Sequence, residues 1–269
     1  MFGSNLFCAM IETSLSHRIA THNYSRVCGI VDPIARRQLF KFADGIYDMG
    51  LWPHMVCWPL RSSQNAGTGT TAYSFGGLGT YNGTLVNGPT WGVDGVSMSS
   101  SCSMETGVLL GSSPCAIVSV HHQITYVGGN ANLFFTAGIN VSGRQVSDFN
   151  TSNYNQRYAF FWYNAWPPAF ASTISSLNDV DPLIFNYTAW RVRSSSQMQC
   201  SYNSFQSNAG TMTDWDTSSP TCTRFGIFDL GGDIKFSFLA TFDVDLDNNK
   251  DSQVRALYKS TLGQGLGLP

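Results

Sequence analysis

Asp243, Asp245 and Asp247 stand at alternate positions and carry the oxygen ligands that Ca²⁺ prefers in proteins. In a loop their carboxylates can converge on one ion, so the spacing predicts a candidate calcium site. An EF-hand needs glycine at the sixth position and glutamate at the twelfth, where this chain has Asn248 and Val254. On a strand the three side chains would instead share one exposed face and cap the next helix. Exposure and capping therefore remain the alternative interpretation.

Aromatic side chains offer a second kind of candidate site. The segment 158–166 is rich in aromatic residues, and strand alternation places about half of them in a core. Tyr163 and Trp166, at its end, can form a rim on which the apolar face of a sugar ring stacks. Trp215, in the polar stretch 204–221, is a third candidate. The sequence therefore indicates a glycan site at these three residues, with core packing as the alternative.

Catalysis has little support in the residue types. A retaining glycosidase needs two carboxyl groups about 5 Å apart, and the chain has only two glutamates, Glu12 and Glu105, far apart in sequence. Two aspartate pairs are possible substitutes: Asp179 with Asp181, and Asp214 with Asp216. Such pairs in loops are more typical of turns and helix caps. We therefore expect that the chain is not an enzyme.

Histidine and cysteine form no recognisable metal or redox motif. His121 and His122 are neighbours in an expected strand, where they point to opposite faces and cannot share a metal. The seven cysteines are scattered and lack the Cys-X-X-Cys spacing. They are interpreted as buried free thiols of a protein made in a reducing cytoplasm. The alternative is a pair of disulfides, Cys102 with Cys115 and Cys200 with Cys222.

Composition favours an all-β fold and excludes two classes of partner. Of 269 residues, 43% are hydrophobic and only 12% are charged, and the chain contains 26 glycines, which favours short strands and turns over amphipathic helices. The net charge of -2 provides no basic field for nucleic acid. No apolar run reaches the length of about 18 residues that a membrane span needs. The sequence therefore predicts one large β domain without nucleic-acid partners.

The first third of the chain contains the clearest local signals. Residues 1–30 lack a clear period and are expected to form an arm. Asp32 and Pro33 make a helix start, and an apolar stripe runs through 34–49. Residues 51–60 suit an edge strand or an extended crossing, and 65–79 a flexible loop. Between 82 and 98, turn dipeptides at Asn87-Gly88 and Asp94-Gly95 separate three short strands.

Longer strands are expected from residue 116 onward. In 183–192 neither face is purely polar, so both faces of that strand are expected to be covered. In the last strand, Phe236, Phe238, Ala240 and Phe242 are predicted to share one face. Asp251 is then predicted to cap a short helix, 253–261.

The order of these features resembles a known family. The leading helix, Asn-Gly-Thr-Leu-Val-Asn-Gly-Pro-Thr-Trp-Gly-Val-Asp-Gly-Val at 82–96, a series of strands, and the terminal Gln-Val-Arg-Ala-Leu-Tyr-Lys at 253–259 are similar to concanavalin A-like, laminin G-like jelly rolls. The closing Leu-Gly-Gln-Gly-Leu-Gly-Leu-Pro adds a resemblance to virion structural proteins of tailed bacteriophages. The resemblance implies an all-β, two-sheet jelly-roll sandwich with an N-terminal helix and arm and a short C-terminal helix. Its expected segments are an arm, 1–30, a leading helix, 31–50, and a sandwich domain, 51–269.

The resemblance also implies a function. It indicates a non-enzymatic structural protein on the virion surface, either a capsid decoration protein or a tail or fibre module, assembled in the host cytoplasm. Its expected partners are other virion proteins, further copies of itself and a host-surface glycan. No cofactor is expected apart from the calcium considered above. The alternatives are a carbohydrate-binding lectin domain and an atypical polysaccharide-cleaving enzyme.

Overall fold

The structure is a computed structural model. It describes residues 3–99, 101–109, 114–123, 135–137, 145–150, 158–163, 184–194, 197–206, 210–211, 222–226 and 233–269. Within these residues the chain forms two antiparallel sheets and three α-helices.

The helices are α1 (Gly3–Val27), α2 (Pro33–Asp48) and α3 (Asn248–Ser260), and a 3₁₀ turn occupies Trp52–His54. The start of α2 is as predicted. The Asp32 carboxylate accepts hydrogen bonds from the backbone N–H groups of Ile34 and Ala35, and Pro33 stands at the first helical position. A side-chain cap and a residue with a preset φ therefore fix where the helix begins.

Asp32→Ala is expected to lower the free energy of unfolding by about 1 kcal/mol, because two N–H groups of the first turn lose their acceptor. Urea unfolding measures the change. Asp48→Ala, at the exposed far end of the same helix, removes an equal charge and is the matched control. A loss no larger than that of the control would show that Asp32 does not determine the start of α2.

The larger sheet has ten strands in the described part of the chain. They are β1 (Met55–Pro59), β3 (Phe75–Gly76), β5 (Thr90–Trp91), β6 (Val96–Met98), β8 (Cys115–Gln123), β12 (Asn186–Ser194), β13 (Gln197–Tyr202), β14 (Phe205–Gln206), β15 (Gly210–Thr211) and β17 (Ile234–Phe242). The main path runs β14-β13-β12-β8-β17-β1-β3, with β15 beside β13, β6 beside β17 and β5 beside β6.

The second sheet has seven described strands in the order β11-β10-β9-β16-β7-β4-β2. They are β2 (Thr71–Ala72), β4 (Gly83–Val86), β7 (Ser103–Leu109), β9 (Phe135–Ala137), β10 (Gln145–Asn150), β11 (Tyr158–Tyr163) and β16 (Cys222–Gly226). The three short strands predicted between 82 and 98 are present as β4, β5 and β6. Asn87 and Gly88 have φ of 63° and 83°, so the turn between β4 and β5 uses the left-handed region that these residues tolerate.

Two hydrophobic cores lie on opposite faces of the larger sheet. One packs it against the second sheet, and its largest fully buried side chain is Trp58. The other packs it against the helices, where Phe42 of α2 lies edge-on to Phe238 with ring centroids 5.5 Å apart. The prediction that both faces of 183–192 are covered is confirmed for the described residues, because Trp190 lies in the first core and Tyr187 in the second.

The prediction that four residues of β17 share one face is wrong. The register shifts between Phe236 and Phe238, which is a β-bulge. Phe236 therefore packs between the sheets, whereas Phe238 and the residues at 240 and 242 pack against the helices. After a bulge, the side chains that follow point to the opposite face of the sheet. The hydrophobic pattern of the sequence does not reveal where the bulge lies.

The segment predicted as an arm contains a regular helix, α1. Its period is hidden because its buried face includes polar side chains, those of His17, Thr21 and Ser25. Large apolar side chains, including Ile19, are exposed instead. Buried polar groups need partners, and His17 Nε2 lies 2.8 Å from Asp44 Oδ1 while Thr21 donates to the His17 carbonyl at 2.7 Å. Hydrogen bonds therefore provide part of the stabilisation of α1 that apolar contacts usually provide.

Two further expectations for the first third of the chain are wrong. The strand in 51–60 is not at an edge, since β1 pairs with β17 on one side and with β3 on the other. The stretch 65–79 is not a flexible loop, because the Asn65 side chain holds it. Asn65 Nδ2 donates to the carbonyls of Pro59 at 2.8 Å and Tyr73 at 3.0 Å, and Asn65 Oδ1 accepts from the Tyr73 N–H at 3.0 Å.

The cysteines that the structure describes support the free-thiol interpretation. Cys28, Cys57, Cys102, Cys115 and Cys200 form no disulfide, and the first four are buried. The alternative of disulfides at Cys102 and Cys200 is therefore not observed. Burial in apolar surroundings raises the pKa of the Cys28 thiol to about 12, which keeps it protonated and unreactive at neutral pH.

Candidate functional site

One end of the second sheet brings together strand termini that are distant in sequence. The last residue of β7, Leu109, lies opposite the first residue of β16, Cys222. The last residue of β9, Ala137, pairs with β16 one residue further. The first residue of β10, Gln145, pairs with β9 on one side and with Tyr163, the last residue of β11, on the other. These five strands therefore end or begin at one level.

The larger sheet has matching termini at the same end. Five residues separate Leu109 from Cys115, which begins β8, so the two sheets are adjacent there. Cys115 lies opposite Val192 of β12, and the last residue of β17, Phe242, lies opposite Ala116. We call this end of the sandwich, where β7 and β17 end and β8 begins, the candidate end.

The predicted glycan contacts are described only in part. Tyr163 is the last residue of β11 and its backbone is at the candidate end. Trp166 follows it by three residues, Trp215 precedes Cys222 by seven, and both lie outside the described residues. The aspartate pairs 179/181 and 214/216 also lie outside them. The three aromatic residues stay a prediction.

The three aspartates predicted as calcium ligands directly follow β17, so they too stand at the candidate end. Asp243 Oδ1 lies 2.8 Å from His54 Nδ1, and about two fifths of each side chain is exposed. Asp247 is the N-cap of α3, where its carboxylate accepts from the Lys250 N–H at 2.8 Å. Asp245 Oδ2 lies 3.5 Å from Arg193 Nε. Each carboxylate therefore has a partner of its own.

In the ranges that the structure describes, no group of three or more His, Cys, Asp or Glu side chains is arranged to hold a metal ion. The interpretation of Asp247 as a helix cap is confirmed. Calcium binding stays a prediction that a solution measurement must test.

A charged cluster lies under the start of α3. The Arg191 side chain is fully buried, and its Nη1 donates to the Leu246 carbonyl and to Asn248 Oδ1, each at 2.8 Å. Arg193 Nη2 donates to the same Asn248 oxygen at 3.3 Å. Arg191 Nε and Nη2 have no hydrogen-bond partner. The two arginines therefore bind the turn between β17 and α3 to β12.

Burial raises the pKa of Asp245 above its ordinary value, and the nearby Arg193 and Arg191 oppose this only in part. A carboxyl whose pKa is higher in the folded state favours folding when protonated. That contribution is complete below its unfolded pKa, about 4, and is lost as the pH rises through the folded value.

Asp245→Asn is therefore expected to raise the thermal unfolding midpoint at pH 7 and to have no such effect at pH 3. The amide removes the cost of the buried charge and keeps one acceptor oxygen for Arg193. Calorimetry at the two pH values measures the difference. An equal change at both would mean that the charge of Asp245 is not the cause. Asp94→Asn, at a carboxylate 3.0 Å from Lys235 Nζ, is the comparison variant.

Sequence reasoning missed a buried polar contact of α3 with β12 and β13. Asp251, predicted to cap the helix, lies inside α3 and is buried. Its Oδ1 accepts from the Tyr187 hydroxyl at 2.8 Å and its Oδ2 accepts from the Ser201 hydroxyl. The signal of this contact in the sequence was Arg191, which stands on an otherwise apolar strand face. A charged side chain on such a face implies polar partners that are buried with it.

The two neighbouring histidines are arranged as predicted. His121 is buried between the sheets, where its Nδ1 lies 2.8 Å from Ser119 Oγ, and that oxygen lies 2.8 Å from Thr188 Oγ1. His122 lies on the other face, with its ring 4.4 Å from that of Phe185. The two imidazoles therefore do not share a site.

Solved structures of low sequence identity share this fold, although no family model and no curated protein matches the chain. Trypanosoma rangeli sialidase in complex with sialic acid is similar over 85% of this chain and 39% of its own, with a TM-score of 0.56 and 9% identity. The binding domain of botulinum neurotoxin serotype D is similar over 77% of this chain and 52% of its own, with a TM-score of 0.50 and 9% identity. The chain thus spans well under two thirds of either protein.

These similarities support a β-sandwich for this chain and are consistent with the expected jelly roll. Identities this low indicate the fold alone. Neither similar protein is a virion component, so the comparisons add nothing to the bacteriophage resemblance. Among the described residues, no helix has the length and apolar character that a membrane span requires.

Proposed function

We propose that the protein is a non-catalytic attachment protein with a concanavalin A-like jelly roll, and that it recognises a glycan at the candidate end. The observation that carries the proposal is the common level of the strand termini, with the backbone of Tyr163 ending β11 where β16 begins. The connections that follow these termini begin at one end of the scaffold, and recognition proteins commonly carry their sites on loops that a scaffold positions in this way. The similar structures add support, because one is a complex with sialic acid and another is a binding domain.

Two assignments complete this proposal. Tyr163, Trp166 and Trp215 stack on the sugar, and the rest of the domain holds the strand ends in place. The reaction chemistry of a sialidase is not carried over, because a similarity at 9% identity extends to the fold only. The protein binds its ligand and leaves it uncleaved.

A glycan array with the purified chain tests the proposal. The expected result is binding to a defined set of glycans that Trp166→Ala weakens at least about tenfold, which corresponds to about 1.4 kcal/mol. Trp91→Ala is the control, because Trp91 is a partly exposed tryptophan on β5, away from the candidate end. Binding that neither variant changes would contradict the assignment of Trp166, and a lack of any glycan binding would contradict the function.

Catalysis is tested on the same ligands. We expect no release of reducing ends from any polysaccharide that the chain binds. Release that Asp179→Asn or Asp214→Asn abolishes would instead establish the alternative of a polysaccharide-cleaving enzyme.

Calcium is tested by thermal unfolding with calcium and with a chelator. We propose that no cofactor is required, so equal midpoints are expected. A rise with calcium that Asp243→Asn removes would establish a metal site at the three aspartates.

The biological setting we propose is the surface of a bacteriophage particle, as a capsid decoration protein or a tail or fibre module. This rests on the sequence resemblance at 82–96, 253–259 and 262–269 and on the suitability of a sandwich for attachment. Labelling the intact particle with an antibody against the chain, followed by electron microscopy, tests it. We expect the antibody to label the capsid or the tail. Intact particles that contain the chain but bind no antibody would contradict the proposed surface position.

A further inference from the structure

The helix layer is positively charged although the whole chain is not. The three helices carry eight Lys and Arg against four Asp and Glu, whereas the chain carries 15 against 17. The rest of the chain is therefore acidic. Such separation of charge within one small protein favours contacts between unlike surfaces.

Hydrogen bonds define one end of this layer. The Tyr24 hydroxyl, near the end of α1, donates to the Gln64 carbonyl at 2.7 Å, and Gln64 Nε2 donates to the carbonyl of Leu262, just after α3, at 2.9 Å. Gln38, in the second turn of α2, donates to Gln264 Oε1 at 2.8 Å. The end of α1, the start of α2 and the end of α3 therefore lie together.

Exposed cations and apolar side chains occupy this end, which we call the cationic end. Its members are all exposed: Arg26, Val27, Val31, Ile34, Arg37 and Lys259. Val31 is 89% exposed, Val27 60% and Ile34 59%. The nearby Asp32 carboxylate is used as the cap of α2. Large apolar side chains surrounded by like charges are typical of a surface that another protein covers.

The opposite end of the layer has the opposite charge, and we call it the acidic end. Three exposed aspartates define it: Asp48 at the end of α2, Asp243, which follows β17 and contacts His54, and Asp247, whose carboxylate caps α3. The exposed Leu15 of α1 lies on this side, because its neighbour Arg18 binds Asp44 in the last turns of α2. Sixteen residues of α2 separate the two ends by about 24 Å.

The cations near the acidic end are largely paired. Arg18 binds Asp44 through two hydrogen bonds of 2.9 Å, and Arg193 lies beside Asp245. His54 contacts Asp243. Among the described residues near this end, Arg191 is fully buried and Lys250 is half-buried in the first turn of α3.

We infer that the cationic end of one copy of this chain docks on the acidic end of another copy. Pairing two identical ends would bring like charges together, which disfavours a two-fold symmetric dimer at either end. A head-to-tail contact instead places Arg26 and Arg37 of one copy against Asp48 and Asp243 of the next, around the exposed apolar side chains. Repetition of such a contact produces a ring or a filament, which suits a particle component but does not depend on the proposed glycan site.

Sedimentation velocity of the full chain tests the inference. We expect the mean mass to rise with protein concentration and to fall as salt is raised from about 0.05 M to about 0.5 M, because salt screens exposed charges. Arg26→Glu with Arg37→Glu reverses the cationic end, and Asp48→Lys with Asp243→Lys reverses the acidic end. Each double variant is expected to be monomeric alone, and the two are expected to associate when mixed.

The mixing step separates head-to-tail contact from the other arrangements. If the copies instead met symmetrically through one end, the double variant in which that end is unchanged would still associate alone. Mixing the two double variants would then restore no further association. Lys41→Glu, in the middle of α2, is the control for a cation outside the contact. Val31→Asp is a second variant at the cationic end, at a side chain that is almost fully exposed, and it should also prevent association. Circular dichroism confirms that each variant is folded.

Two results would overturn the inference: a wild-type chain that is monomeric at every concentration, or double variants that associate alone or fail to associate when mixed. Glycan binding is measured on the variant with Arg26→Glu and Arg37→Glu, because both substitutions lie away from the candidate end and this keeps the two proposals separate. Loss of association with intact glycan binding affects this contact only.

Discussion

Trp58→Ala is expected to lower the free energy of unfolding by about 3–5 kcal/mol, the usual cost of truncating a fully buried tryptophan. Trp58 is in β1, at the centre of the core between the two sheets, and its ring centroid lies 5.9 Å from that of Phe225 in the opposite sheet. Its Nε1 also donates to the Tyr81 carbonyl at 2.8 Å. The substitution therefore removes packing from both sheets and leaves the part-buried Tyr81 carbonyl without that donor.

Urea unfolding followed by circular dichroism measures this loss, provided that unfolding is two-state. Trp58→Phe separates the two contributions, because it keeps most of the apolar contact and loses only the N–H. Trp91→Ala is the matched control, since Trp91 is partly exposed and donates to the Gly69 carbonyl at 3.0 Å. If Trp58→Ala costs no more than Trp91→Ala, Trp58 does not hold the sheets together.

Asp251→Ala is expected to cost about 3–5 kcal/mol, because it leaves two buried hydroxyl donors, those of Tyr187 and Ser201, without an acceptor. Desolvation is the main reason that the pKa of Tyr187 is raised well above its ordinary value, with the charge of Asp251 as a further cause. The phenol therefore stays protonated and donates to the carboxylate. This contact attaches α3 to the larger sheet.

A double-mutant cycle with Tyr187→Phe isolates this contact from the packing around it. We expect the two substitutions together to cost less than the sum of their separate losses, since each removes the same hydrogen bond. Ser252→Ala, at the exposed neighbouring position, is the control for a change in helix propensity. Strict additivity would show that the hydroxyl and the carboxylate are not coupled.

The sequence was informative where one local signal determines the structure. The helix predicted over 34–49 occupies Pro33–Asp48, because Asp32 and Pro33 define its start and an apolar stripe defines its buried face. The strands between 82 and 98 were predictable for a similar reason, since Asn87-Gly88 accepts positive φ at low cost. In both cases the residues that determine the local structure are neighbours in the sequence.

Prediction failed where distant partners determine the structure. The buried face of α1 includes His17 and Thr21, and the pairing of His17 with Asp44, 27 residues away, makes their burial tolerable. Likewise Asp251 is a residue type that often caps a helix, but it is buried and accepts hydrogen bonds from Tyr187 and Ser201. Asp247 caps the helix instead. No local pattern reports such partners.

The candidate site was predictable as residue types but not as an arrangement. Alternation at Asp243, Asp245 and Asp247 indicated either a metal loop or a cap, and the structure gives Asp247 the capping position. That these aspartates stand at the same end of the sandwich as Tyr163 follows only from the strand register. Sequence spacing contains no information on that register, because segments far apart in the chain form the pairs.

A crystal structure of the chain with the glycan that binds it most tightly is the most direct test of the attachment function at the candidate end. We expect an intact glycan at the level of Tyr163, with sugar rings on the faces of Trp166 and Trp215. A glycan bound at the other end of the sandwich or on the helix layer would contradict it, and so would a cleaved glycan between two carboxylates.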